Sequence, residues 1–380
     1  MHVAVNLRSA NLAIPDGHGE SLRNLSRALI PTNPGHALRL LMDARPRYAL
    51  PASPQAHVQV APPFPVANLL LRRALGADPW YRLRICAARG WRRTDVLIQS
   101  AHEPTPVLTG PRHVALVLDV AFLRPGAHHY FDPATYDFLD RWTAENIHRA
   151  SRLVAISAWV KAEVTRWYGI DADRIAVAPL GMDPHRFRPA DGEAAPTPRA
   201  QHGSAPPYFL FVGTLQPRKN LATLVAGYLA ARAHGIRHEL ILAGAPGWRY
   251  HELAPLVDGR AADGIRPLGR VPPEDLPGLY TGATAFASVA RDEGFGLPAL
   301  EAMAAGTPVV VSNQAGLADV VADAGLQVDP SDPSALADAL VRLAEDATLR
   351  ADLRRRGLER AAEFTWERAA RVVWDTVERA

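Results

Sequence analysis

The chain has 380 residues, 48% of them hydrophobic and 21% charged, with a formal net charge of +3. That length allows two domains of ordinary size, and the balance of apolar and charged residues excludes a disordered chain. A single cysteine, Cys86, excludes an intramolecular disulfide and fits a reducing compartment.

The start, Met1 to Leu7, is too short for the apolar core of a signal peptide and reads as a first strand. No uninterrupted apolar run reaches the roughly 20 residues a spanning helix needs. A soluble or peripheral cytoplasmic protein is therefore expected. Residues 1–190 hold 23 Lys and Arg against 15 Asp and Glu, a net of +8, and the remainder is net −5. Much of the excess lies in residues 69–93, which carry seven arginines with Trp80, Tyr81 and Trp91. Such a mixture suits peripheral contact with an anionic membrane. It equally suits a solvated helix face with a few buried aromatics. No base-contact motif accompanies the charge, so nucleic acid is not an expected partner.

Residues 1–187 alternate strands and helices and form a first α/β domain. Strand runs are 95–99, 114–118, 153–156 and 175–179. His102-Glu103 and His128-His129 belong to no cluster at metal-ligand spacing and read as core or surface residues. Asp171-Ala172-Asp173 reads as a turn before a strand. Residues 188–207, rich in Pro, Ala and Gly, are aperiodic and read as a linker.

A second α/β domain follows over residues 208–363. Tyr208–Val212 is a buried-strand run, continued by Gly213-Thr214-Leu215-Gln216-Pro217-Arg218-Lys219-Asn220. Asn220 is placed to cap a helix beginning at Leu221. Arg218 and Lys219 then sit at a strand-to-helix crossover, on the side of a parallel sheet where ligands bind. A guanidinium and an ammonium there could clamp two phosphates, or form a solvated basic turn.

Residues 293–301 read Glu-Gly-Phe-Gly-Leu-Pro-Ala-Leu-Glu. Pro298 suits the first position of a helix and Gly306 the residue just past its end. Glu293 is thereby placed on a glycine loop and Glu301 in the helix after it. Carboxylates beside amides at a helix N-terminus suit a ligand rich in hydroxyls and carrying phosphate, such as a nucleotide sugar. A loop carboxylate like Glu293 is expected to add little to stability. Residues 308–312 are a further buried strand, and 364–380 form an amphipathic helix with Trp366, Ala369, Ala370, Val373 and Trp374 on one face.

Together these motifs resemble the family 4 glycosyltransferases. The matching residues are Val212-Gly213-Thr214 with Arg218-Lys219-Asn220, Glu293 to Pro298, Glu301 to Pro308, and Ser312-Asn313 onward to Pro330. The resemblance implies two Rossmann-like domains facing across a cleft (GT-B), with the C-terminal helix crossing back to the N-terminal domain. It implies a retaining, metal-independent hexosyltransferase with no cofactor, using a GDP-, UDP- or dTDP-sugar. Its partner would be a glycan or polyprenyl-linked acceptor, in cell-surface polysaccharide synthesis at the inner membrane face. Mannose or a rhamnose-like sugar is expected.

By the same resemblance, Arg218 and Lys219 would neutralise the leaving diphosphate and Glu301 would accept from the ribose hydroxyls. Glu293 with the amides of Gly294, Phe295, Gly296 and Leu297 would hold the sugar. Gly213 and Thr214 would line the donor site, and Val271 would contact the base. On the acceptor side, Gly17 and Gly19 occupy the place of a glycine-rich loop, and Asp119 is the polar candidate. Relatives read His-Asp where this chain has Leu118-Asp119, and Ser-Glu where it has Ser157-Ala158. The missing histidine contacts the donor sugar in relatives. Two other readings stay open. One is a catalytically silent GT-B partner that binds nucleotide sugar; the other is a GT-B nucleotide-sugar epimerase.

Overall fold

The computed structural model describes residues 1–12, 17–60, 93–104, 110–124, 126, 130–189 and 207–380. Asp16, Cys86, the arginine-rich run up to Arg92, His128, His129 and positions 190–206 of the expected linker lie outside these residues. The fold divides into two compact units. The first comprises Met1–Leu123, Ala134–Gly181 and Trp366–Ala380, and the second Arg124–Pro133 and Met182–Thr365.

In the first unit, seven strands form one sheet among the described residues. They are β1 (His2–Asn6), β2 (Ala37–Met42), β3 (Ala56–Val60), β4 (Val96–Ser100), β5 (Arg112–Val117), β6 (Arg152–Ala155) and β7 (Ile175–Val177). Their order is β3-β2-β1-β4-β5-β6-β7 and every pairing is parallel. A parallel sheet covered on both faces needs unbroken apolar strands, and β4 is buried along its whole length. Strand order reverses between β1 and β4, which makes the carboxyl ends of those strands the crevice of this unit.

The sheet is covered by α1 (Gly17–Leu29), α2 (Pro133–Arg149), α3 (Ala158–Tyr168) and the C-terminal helix, Trp366–Glu378. That last helix returns to the first unit because its apolar face fits there. Trp366, Ala369, Ala370, Val373, Trp374 and Val377 are all buried. Trp374 Nε1 also donates to the carbonyl of Leu29 at 3.1 Å, satisfying an orphan acceptor at the end of α1. Ser157 caps α3 by accepting from Val160 N, and Gly169 closes it in the left-handed conformation. Asp171 accepts from Asp173 N, so the Asp-Ala-Asp run is a turn.

The second unit holds a six-stranded parallel sheet. Its strands are β8 (Tyr208–Val212), β9 (Glu239–Ala243), β10 (Ile265–Gly269), β11 (Ala285–Ser288), β12 (Val309–Ser312) and β13 (Leu326–Val328), in the order β10-β9-β8-β11-β12-β13. The reversal falls between β8 and β11. Around the sheet lie α4 (Leu221–Ala233), α5 (Tyr250–Val257), α6 (Leu276–Gly282), α7 (Leu297–Ala304), α8 (Ala315–Val321), α9 (Pro333–Glu345) and α10 (Ala347–Ala361). Phe209, Phe211, Tyr228, Leu242, Val310 and Leu336 lie in one buried cluster. Burying each large apolar side chain is worth about 1.5–3 kcal/mol. α4 approaches α9 so closely that a Cβ on Gly227 would come within 2.8 Å of Leu336 Cδ2. Among the described residues no helix is long and apolar enough to cross a membrane.

Candidate active site

At the β8/β11 reversal, two loops that follow the carboxyl ends of adjacent strands meet. The first runs from Gly213 to Asn220 and ends in a tight turn, Pro217–Lys219. The second runs from Val289 to Gly296 and leads into α7. The amide of Arg291 donates to the carbonyl of Arg218 at 3.1 Å, which ties the loops together. Lys219 is buried, and its ammonium pairs with Glu293 Oε2. The neighbouring Asp292 is buried too and pairs with Arg124 at 2.9 Å.

Asn220 precedes Leu221 as expected, but its side chain does not cap the helix amides. Its backbone is left-handed, φ 57°, and the amide group instead reaches Val289 O at 3.0 Å and Pro330 O at 2.6 Å. It thus cross-links the ends of the sheet, a role that depends on residues far away in sequence.

The glycine loop is held by close backbone approach. Gly296 has φ 105°, and a Cβ there would meet Leu317 Cδ2 at 2.6 Å. The amide of Gly316 donates to Glu293 O at 2.8 Å. The amides of Ala299 and Leu300 both turn back to Gly296 O. Among the described residues the amides of Phe295, Gly296 and Leu297 have no such bond. They are donors at a helix N-terminus, where an oxygen-rich or anionic group is favoured.

Gly213 and exposed Thr214 begin the first loop, with Gly213 N bonded to Ala243 O at 3.0 Å. Glu301 lies one turn into α7, and Tyr280 OH donates to its Oε2 at 2.8 Å. Burial, reinforced by the Glu301 carboxylate, raises the Tyr280 pKa well above its ordinary range, so the phenol stays a donor. Sequence reasoning did not single out Tyr280, because nothing in its own neighbourhood marks it as a partner of Glu301. Val271 is buried just past β10. The structure therefore gathers Gly213, Thr214, Arg218, Lys219 and the Glu293–Leu297 loop at one switch point.

Asp119, Gly17 and Gly19 belong to the first unit. Asp119 accepts from Ala121 N at 2.7 Å and so caps a short turn after β5. Among the described residues a Cβ on Gly17 would meet nothing within 4 Å, so their packing does not demand a glycine there. Leu118 is buried and lines a small apolar cavity with Leu22, Ile156 and Val373.

Between β1 and β4 the same unit holds a polar network around His102 and Glu103, which are core residues rather than surface ones. Asn6 Nδ2 donates to Glu103 Oε2 at 2.8 Å, and Ser9 N approaches Glu103 Oε1 at 3.3 Å. His102 Nδ1 lies 2.9 Å from Thr143 Oγ1, with the His18 ring 5.5 Å away. Asn146 donates to the carbonyls of Ala101 and Glu103. Burial pushes the Glu103 carboxyl up to about 7 and the His102 imidazole down to about 3. Near pH 7 the His102 ring is therefore neutral, whereas Glu103 is about half protonated.

Known proteins match along most of the chain. The family described as Glycosyltransferase Family 4 matches residues 15–186, and Glycosyl transferases group 1 matches residues 197–360. The O-antigen chain mannosyltransferase B of Escherichia coli is 34% identical over 291 residues, 76% of each chain. Sucrose-phosphate synthase from Thermosynechococcus elongatus superposes with a TM-score of 0.75 at 20% identity, over 100% of this chain and 98% of that one. HepE from Anabaena, in complex with UDP and glucose, gives 0.74 at 16% identity over the full length of both. Two parallel Rossmann-like sheets with these neighbours define a glycosyltransferase of GT-B fold. The chain belongs to the group 1 glycosyltransferases, glycosyltransferase family 4.

Proposed function

We propose that this protein is a retaining glycosyltransferase. It moves a hexose, mannose or rhamnose-like, from a nucleotide diphosphate sugar to a hydroxyl of a glycan or lipid-linked oligosaccharide in cell-surface polysaccharide synthesis. The reading is supported chiefly by one observation: Arg218, Lys219, Glu293 and the amides of Phe295 to Leu297 meet at the β8/β11 switch point. Mannose and O-antigen draw further support from the Escherichia coli relative's name.

In this reaction the bond from the anomeric carbon to the diphosphate oxygen breaks as the acceptor oxygen bonds to that carbon. The acceptor's proton passes to the departing diphosphate, on whose face the acceptor arrives. Negative charge grows on the diphosphate, and Arg218 and Lys219 offset it. Preorganised charge of this kind is worth about 3 kcal/mol per donor. Glu293 and the loop amides hold the sugar hydroxyls, and Glu301, oriented by Tyr280, accepts from the ribose. Val271 supplies backbone contacts to the base, and Gly213 and Thr214 line the donor. Asp119, Gly17 and Gly19 serve the acceptor. No metal enters the scheme.

The test is thermal stabilisation and turnover with GDP-mannose, UDP-sugars and dTDP-rhamnose. A ligand bound only by the folded chain adds about 2.7 kcal/mol at a hundredfold excess over Kd. Stabilisation by one nucleotide family, lost in Arg218→Ala/Lys219→Ala together with turnover, is the expected result. Full turnover in that double variant would overturn the assignment of the diphosphate clamp.

A further inference from the structure

We infer that the second unit carries a separate pocket for a phosphate monoester, at the end of the sheet opposite the switch point. The pocket encloses about 490 Å³. Pro207, Thr284 and Pro308, each the residue just before β8, β11 or β12, line it. It therefore opens at the amino ends of the strands, whereas Lys219 and Glu293 follow the carboxyl ends. The other wall presents Arg350 and Arg354, one turn apart on α10, with His238 nearby.

The charges in this pocket are unbalanced. Arg355, Arg356 and Arg360 on the same helix each pair with Asp352, Glu359 or Glu363. Among the described lining residues of the pocket there is no carboxylate. Arg350 Nη1 donates to Leu343 O at 2.8 Å and Ala344 O at 2.9 Å, which holds the guanidinium plane while its other N–H groups stay available. Arg354 makes one long contact, 3.4 Å to Gly306 O. His238 is stacked on Phe209 with ring centres 4.8 Å apart, and its Nδ1 is enclosed without a partner. Burial and the charge of Arg350 lower its pKa, so the ring supplies a hydrogen bond rather than a third charge.

Two like charges one turn apart on a helix repel each other, and an anion between them removes that cost. Two guanidiniums match the dianionic form of a phosphate monoester better than a single carboxylate. The remaining volume accepts an attached group the size of a sugar. The site is independent of the transfer proposed above, because none of its residues belongs to the donor loops.

Calorimetric titration of the whole chain with inorganic phosphate and with glucose 1-phosphate, in chloride buffer, tests this. Saturable one-to-one binding is expected, weakened about tenfold by Arg354→Ala and unchanged in Arg218→Ala. Arg350→Lys, which keeps one charge but not the fork, should weaken it as well, with thermal melts checking that each variant folds. Absence of saturable binding would overturn the proposal, as would binding undiminished in Arg354→Ala. Binding to phosphatidic acid vesicles alone would overturn the soluble ligand in favour of a lipid headgroup.

Discussion

Lys219 and Glu293 lie 74 residues apart in sequence and form one ion pair, joining the loop after β8 to the loop after β11. Both side chains are largely enclosed, at 10% and 18% exposure. This changes the expectation that Glu293, as a loop carboxylate, matters little to stability. Removing one partner of an enclosed pair leaves an uncompensated charge.

Glu293→Ala should therefore lose both transfer and about 2 kcal/mol of stability, between the values for exposed and fully buried pairs. The double variant Lys219→Ala/Glu293→Ala should be less destabilised than the sum of the single variants. Denaturant unfolding of the four proteins of this cycle measures the coupling. Strict additivity would mean the two charges do not interact in solution.

Tyr280→Phe deletes the hydroxyl that donates to Glu301. A hydrogen bond to a charged group is worth about 1.5–3 kcal/mol, so the donor KM should rise about tenfold or more, with a smaller fall in kcat. Steady-state kinetics with the donor varied separates the two. A kcat effect without a KM effect would argue against Glu301 as a ground-state ribose ligand.

Gly244 lies where the chain after β9 passes the first loop. A Cβ there would fall 1.9 Å from the Gly213 carbonyl oxygen, and backbone cannot yield as a side-chain tip can. Gly244→Ala should cost about 3 kcal/mol and disturb the donor loop. Gly17→Ala, which meets none of the described residues, should change stability by less than about 0.5 kcal/mol. Thermal melts check both, and a loss of turnover in Gly17→Ala at unchanged stability would mark an acceptor role.

Glu103 and His102 act oppositely on the pH dependence of stability. The folded chain keeps the Glu103 proton up to about 7, whereas the unfolded carboxyl loses it near its ordinary value of 4.5. Its contribution is fully present below the ordinary value and is lost as pH rises through 7. His102 titrates at about 3 when folded and near 6.5 when unfolded, so the unfolded chain gains protons first. Stability through His102 therefore falls as pH drops across that window. Glu103→Gln should raise the Tm at about pH 8 relative to about pH 5, compared with the parent chain. An equal Tm difference in both proteins would show that Glu103 does not titrate there.

Much of this was legible in the sequence because it is local. Buried parallel strands must be unbroken apolar runs, so 208–212 and 308–312 announced themselves without any partner. Pro298 and Gly306 bracket α7 within two residues, since helix ends are set by backbone chemistry at those positions. The amphipathic face of residues 366–377 follows from the helical period alone.

Other features have no local signal. Asn220 has a capping residue's composition, yet its left-handed backbone turns it toward Val289 and Pro330. His102 and Glu103 look like any polar pair until Asn6 and Thr143 are brought to them from other elements.

By itself the sequence determined the alternation of strands and helices, the two α/β domains and the loops after residues 212 and 292, because periodicity and turn chemistry act over a few residues. Only the tertiary structure decided that Lys219 pairs with Glu293, that Tyr280 holds Glu301, and that Arg350 and Arg354 face a pocket without a carboxylate. The physical reason is burial: a side chain's charge state and partner depend on what shields it from water, and those shielding groups arrive from distant parts of the chain.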